Sequence, residues 1–77
     1  MTVLLATALG PRVRVNAVAP GLIDTRWSQD WSDLHERVRT GAPLRRVGLP
    51  EDVADAVIGI ALSRYVTGQV LNVDGGT

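Results

Sequence analysis

Apolar and polar positions alternate along the 77 residues in a way that predicts discrete elements. Met1 to Leu9 carries no charged side chain and is closed by Gly10-Pro11. A Gly-Pro pair ends helices, so this stretch predicts the last turns of a buried helix. No capping residue with an acidic first turn marks its start. Val13-Arg14-Val15-Asn16-Ala17-Val18-Ala19 is β-branched and alternating at first, then apolar throughout. It predicts a strand covered on both faces near its carboxyl end, as in a parallel sheet, and stopped by Pro20-Gly21. Trp27, Trp31, Leu34 and Val38 fall at i, i+4, i+7 and i+11, one apolar stripe of a helix. Asp33 and Glu36 suit its capped start, and Gly41-Ala42-Pro43 its end. After a bridging loop, Leu44 to Leu49, Pro50-Glu51-Asp52 opens another helix, with proline at its first position and anions at the positive end of its dipole. Its apolar face is predicted to run Val53, Ala54, Val57, Ile58, Ala61, Leu62. Gly59 inside it costs about 1 kcal/mol against alanine, which predicts close packing there. Gln69 to Val73 predicts a second strand, stopped by Asp74-Gly75-Gly76. Strand, helical crossover, strand amounts to one βαβ unit.

Composition narrows what such a unit does. Apolar residues make up 45% of the chain, and the eight basic residues, all arginine, balance eight acidic ones. A nucleic-acid surface carries a basic surplus, so no nucleic-acid partner is expected. No apolar run approaches the ~20 residues of a membrane span, and no secretory pattern is present, so a cytoplasmic protein off the membrane is expected. Cysteine is absent, which removes disulfides and thiolate chemistry. A chain near this size buries only about 60% of its unfolded surface. Its apolar content therefore predicts that another domain or subunit covers part of it.

Candidate chemistry is sparse. The single histidine, His35, lies beside Leu34 and Glu36 and reads as a solvated helix side chain; with no second ligand at metal spacing, no metal is expected. Glu51 and Asp52 are accounted for by the helix start, and Asp55 by a solvent-facing position. Gly75-Gly76 has no helix after it, so it is not a phosphate loop. The segment Asn16 to Thr25 places a Pro-Gly turn just past the carboxyl end of a parallel strand, the edge at which open α/β sheets bind ligands. Gly21 would let a flat ring approach the backbone. Peptide groups freed at the strand end, with the Thr25 hydroxyl, would suit a carboxamide. Taken alone, a Pro-Gly turn signals no more than the end of a strand.

A resemblance adds to this. Arg12-Val13-Arg14-Val15-Asn16-Ala17-Val18-Ala19-Pro20-Gly21, with Ile23 and Thr25, resembles the nicotinamide-side strand of the short-chain dehydrogenase/reductase family. Pro43-Leu44-Arg45-Arg46-Val47-Gly48-Leu49-Pro50-Glu51-Asp52-Val53-Ala54 is similar to its next landmark, and Val66 to Gly76 to its last strand and turn. The resemblance implies an α/β fold: residues 1–77 as a single partial domain, the C-terminal βαβ portion of a Rossmann-type doubly wound parallel sheet, with a substrate loop at about 22–49. It implies NAD or NADP as cofactor, bordered by Pro20 and Gly21 and held at its carboxamide by the Ile23 backbone and the Thr25 hydroxyl. It further implies a small carbonyl or alcohol substrate exchanging hydride with the nicotinamide, a homo-oligomer, and Trp27 and Trp31 either over an apolar substrate or packed on the body. The family's Gly-rich loop and its serine, tyrosine and lysine have no counterpart here. Tyr65 has Gln69, not lysine, four positions on, so no residue of this chain is expected to be catalytic. Alone it is expected to be inactive; the alternatives are an oligomerisation fragment or a truncated-gene remnant. Ser63-Arg64-Tyr65 is also a shorter connection than the family usually has.

Overall fold

A computed structural model describes residues 1–77. In chain order the elements are α1 (Thr2–Leu9), β1 (Ala17–Pro20), a 3₁₀ turn (Arg26–Ser28), α2 (Ser32–Gly41), α3 (Pro50–Leu62) and β2 (Val70–Val73). The two strands pair in parallel, with Ala17 opposite Val70 and Pro20 opposite Val73. The predicted βαβ unit is therefore present. No helix is long and apolar enough to cross a membrane.

β1 starts four residues later than predicted, because side chains take the place of a ladder before it. The Val15 N–H donates to Thr67 Oγ1 at 3.1 Å, while the Val15 carbonyl accepts the Gly68 N–H at 2.7 Å. Asn16 bridges twice: its Nδ2 donates to the Val66 carbonyl at 3.0 Å and its Oδ1 accepts the Gln69 N–H at 3.1 Å. Regular pairing begins only where the Ala17 N–H reaches the Gln69 carbonyl. Pro20, lacking a donor, ends the strand, and the Gly21 N–H takes the Val73 carbonyl at 2.9 Å. The sheet is not covered on both faces: Ala17 to Ala19 are half-buried, and Val70 to Asn72 exposed. Of the helices, α3 packs on the strands.

α3 begins where proline and the two acids place it and ends one residue before Ser63. Its inward stripe is Val53, Ala56 and Ile60; Val57 and Ala61 line an open groove beside Val18, and Ala54, Ile58 and Leu62 face outward, so the predicted apolar face is split between sheet and solvent. A side chain built at Gly59 would meet nothing within 4 Å, so the packing predicted there does not exist within this chain. Its carboxyl end is held from a distance. Arg14 donates to the carbonyls of Ala61 (2.7 Å), Ser63 (2.8 Å) and Ile60 (3.2 Å) at the negative pole of the helix dipole, the last of which also accepts the Ser63 N–H.

The stripe from Trp27 to Val38 does not form one helix. Around the 3₁₀ turn the Ser28 hydroxyl accepts the Thr25 N–H while the Ser28 N–H donates to the Thr25 carbonyl, and α2 restarts after Trp31. Trp27 is 88% exposed, which rules out its packing on the body. The inner face of α2 is instead His35, Val38 and Ala42. His35 is buried, against the expectation of a solvated side chain, because its Nε2 meets the Ser28 carbonyl at 2.9 Å. Asp33 and Glu36 form no cap; Glu36 pairs with Arg39 one turn on, at 3.2 Å.

Candidate functional site

Three segments converge beyond the carboxyl ends of β1 and β2, where an open parallel sheet presents its crevice. They are Leu22 to Thr25, Pro43 to Asp52, and Asp74 to Gly76. The first two are joined by an isolated parallel bridge between Ile23 and Gly48. The Gly48 N–H donates to the Leu22 carbonyl at 3.1 Å, and the Asp24 N–H to the Gly48 carbonyl at 2.7 Å. Packing here is close: a Cβ at Gly48 would lie 2.6 Å from Ile23 Cδ1, so the end of the Ile23 side chain would have to shift. The second and third segments are joined by the Leu44 N–H, which donates to the Gly75 carbonyl at 3.0 Å. The crevice so framed has a volume of about 230 Å³ and is lined by Leu22, Ile23, Leu44, Arg46 and Asp74 among others.

Arg46 and Asp52 lock the loop to the start of α3. The guanidinium donates from Nη1 to Oδ2 at 2.8 Å and from Nη2 to Oδ1 at 2.9 Å, a fork on a carboxylate. Oδ2 also accepts the Leu49 N–H at 2.7 Å. These hydrogen bonds to the charged form, first from Arg46 and then from the Leu49 amide, hold the Asp52 carboxyl down at about 2. The same contact raises the Arg46 guanidinium above its ordinary value. Asp52 is thus more than an acid at a helix N-terminus.

Pro20, Gly21, Ile23 and Thr25 lie on one turn at this edge. Gly21 does not leave room for a ring on the side where its Cβ would point. That space is filled by Asp74, whose Cβ would be 2.8 Å away; a ring must approach from elsewhere. Ile23 and Thr25 are held by a residue the sequence reading did not single out. The Ser28 hydroxyl donates to the Ile23 carbonyl at 2.7 Å and accepts the Thr25 N–H at 3.0 Å. The bridge to Gly48 uses Leu22 and Asp24 on the other side. The N–H groups of Leu22 and Ile23 have no partner within the chain, whereas those of Gly21, Asp24 and Thr25 do. The turn offers an open N–H donor at Ile23, a carbonyl with a second lone pair, and a hydroxyl at Thr25. Thr25-x-x-Ser28 has capping spacing and could have signalled the 3₁₀ turn; for His35 no local signal exists. Tyr65 is wholly exposed, away from these segments.

Comparison with known proteins gives a consistent picture. A profile of the family described as enoyl-(acyl carrier protein) reductase matches residues 1–77. Ketoacyl reductase 2 of the granaticin polyketide synthase of Streptomyces violaceoruber is 59% identical over 78 residues, covering 97% of this chain and 31% of that protein. The 3-oxoacyl-(acyl-carrier-protein) reductase of Chlamydia trachomatis is 49% identical over 67 residues, covering 83% of this chain and 27% of its own length. A small-chain dehydrogenase solved with NADPH superposes with a TM-score of 0.88 at 36% identity, over 97% of this chain and 36% of that one. A short-chain dehydrogenase/reductase from Brucella melitensis gives 0.91 at 33% identity, over 99% and 32%. The chain spans about a third of the length of these relatives.

Proposed function

The chain belongs to the short-chain dehydrogenase/reductase family, and from that membership we propose that it forms the nicotinamide seat and substrate loop of an NAD(P)-dependent oxidoreductase. The observation that carries this is the Ile23–Thr25 turn, fixed on both sides and leaving the Ile23 N–H unpartnered at the carboxyl edge of the parallel pair. When bound, the cofactor supplies a hydride acceptor or donor at its nicotinamide. The Ile23 N–H would hold the carboxamide oxygen, and the Ile23 carbonyl and Thr25 hydroxyl would receive its amide hydrogens. Ring orientation is thereby set, and orientation is a large part of what hydride transfer needs from a protein. Pro20 and Gly21 border the ring.

The substrate reading is a small carbonyl or alcohol compound, supported by the reductases and dehydrogenases among the relatives. Residues 22–49 form the wall over it, with Trp27 and Trp31 as its exposed apolar side chains. Proton transfer is not assigned to any side chain of these 77 residues. A second copy of the chain is the assigned partner of the outer face of α3, where Ile58 and Leu62 are exposed.

The test is a titration of the ¹⁵N-labelled chain with NADPH. The amides of Gly21, Ile23 and Thr25 are expected to shift, and ADP-ribose, which lacks the nicotinamide, is expected to leave them in place. Amides that stay fixed at millimolar NADPH would defeat the assignment.

A further inference from the structure

Four residues of the chain are buried, and two of them are polar: Ser28 at 2% exposure and His35 at 8%. They touch each other. The Ser28 carbonyl only accepts, so the 2.9 Å contact places the hydrogen on His35 Nε2. The Ser28 hydroxyl has one hydrogen, and the Ile23 carbonyl at 2.7 Å takes it in preference to the Thr25 carbonyl at 3.2 Å. Its lone pair takes the Thr25 N–H. A chain of hydrogen bonds thus runs from α2 through the 3₁₀ turn to the two residues of the nicotinamide seat. Sidedness gives it a consequence. Gly48 holds Leu22 and Asp24 on one edge of the turn, and Ser28 holds Ile23 and Thr25 on the other, so no peptide between them is free to rotate. Burying two polar side chains in a chain that buries almost nothing else is costly without such pairing.

We propose that Ser28 and His35 are positioning residues: His35 pins the 3₁₀ turn to α2, and the Ser28 hydroxyl presets the Ile23 and Thr25 groups for the carboxamide. The ring seat and the helix of the substrate loop then move as one body. This rests on the nicotinamide assignment above and adds to it the coupling between cofactor seat and loop. Loss of the relay leaves the Ile23 carbonyl and the Thr25 N–H without their fixed partner, so the ring must order the turn as it binds.

The experiment titrates the full chain and its variants with NADPH, followed by amide shifts. Ser28→Ala is expected to weaken the response of Ile23 and Thr25 about ten-fold, since the hydroxyl's bonds to the Ile23 carbonyl and the Thr25 N–H are both lost, each worth roughly three-fold. The amides of Ala17 to Ala19 should keep their positions in that variant. Ser28→Thr, which keeps the hydroxyl, and His35→Gln, which keeps an Nε2 donor, are expected to bind within about two-fold of the unaltered chain, and His35→Leu to resemble Ser28→Ala. Ser28→Ala binding as the unaltered chain does would overturn the relay while leaving the nicotinamide assignment intact. An unaltered chain with no response at Ile23 or Thr25 would overturn the assignment, and the relay's role with it. Should Ser28→Ala lose the sheet, the conservative pair decides: a ten-fold loss in His35→Gln or Ser28→Thr counts against the relay.

Discussion

At the scale of single residues, the arginines divide by what their guanidinium reaches. Arg14 reaches carbonyls and Arg46 a carboxylate; both tie together parts of the chain that are distant or differently structured. The Arg46–Asp52 fork has a definite pH signature. The Asp52 carboxyl is lowered to about 2 in the folded chain, below its ordinary value. A depressed carboxyl stabilises the fold fully above its unfolded pKa, roughly 4, and the contribution is lost as pH falls through the folded value. We therefore expect the Asp52 side-chain carbon to titrate with a midpoint of about 2 by NMR. In Arg46→Gln the midpoint should rise toward the ordinary carboxylate range, and the bridge between Ile23 and Gly48 should loosen over the same acid window. Both partners are partly open to water, so high salt should weaken the shift. A midpoint unaffected by Arg46→Gln would show that the fork does not set it.

At the scale of elements, α3 shows what local chemistry can and cannot specify. Its start is written in Pro50-Glu51-Asp52, and the structure places it there. Its end is only partly local: the Ser63 hydroxyl donates to the Gly59 carbonyl at 2.7 Å, but the Ala61 and Ser63 carbonyls go to Arg14, roughly fifty positions earlier. We expect Arg14→Ala to destabilise this end by about 1–2 kcal/mol, the range for losing a cap with charged hydrogen bonds. Amide exchange at Leu62 and Ser63 should accelerate about ten-fold while Val53 and Ala54 near the start are unaffected; uniform exchange along α3 would contradict this. The same division explains what was legible in the sequence. Turns and helix starts depend on neighbours in the chain, so Gly10-Pro11, Pro20-Gly21 and Pro50 marked real boundaries, and four nearby residues carried the candidate seat. The start of β1 depends on side chains of Asn16 and Thr67 replacing a ladder, which no periodicity records. The tryptophan stripe failed for a related reason. Apolar spacing announces a face but not whether a body lies opposite it, and here the buried side of α2 belongs to a histidine held by a serine carbonyl.

At the scale of the whole molecule, surface is the governing quantity. The chain exposes 6031 Å², whereas a compact monomer of this mass exposes roughly 4,500 Å². Its radius of gyration is 14.9 Å, against roughly 11.5 Å for a compact chain of this length. The excess, on the order of 1,500 Å², is about twice the roughly 800 Å² that one partner contributes to a standard protein–protein interface. It is apolar where it matters: Leu4 on α1 is 70% exposed, and Ile58 and Leu62 on α3 are 56% and 75% exposed. Gly59 lies between the latter two with open space before it, so another backbone can approach α3 closely there. Contiguous apolar surface of this kind marks a contact site, and the same face meeting its copy closes a two-fold dimer without leaving an edge. We expect the chain at about 0.1 mM to elute in size-exclusion chromatography with light scattering at a multiple of its 8.2 kDa mass. The double variant Ile58→Asp, Leu62→Asp should return it toward that single mass, since two desolvated carboxylates facing their copies cost several kcal/mol. A charge reversal on the exposed polar side of α2, such as Glu36→Lys, should leave the assembly in place. A clean monomer from the unaltered chain would show that α3 does not meet a copy, and would leave its open face to a partner of another kind.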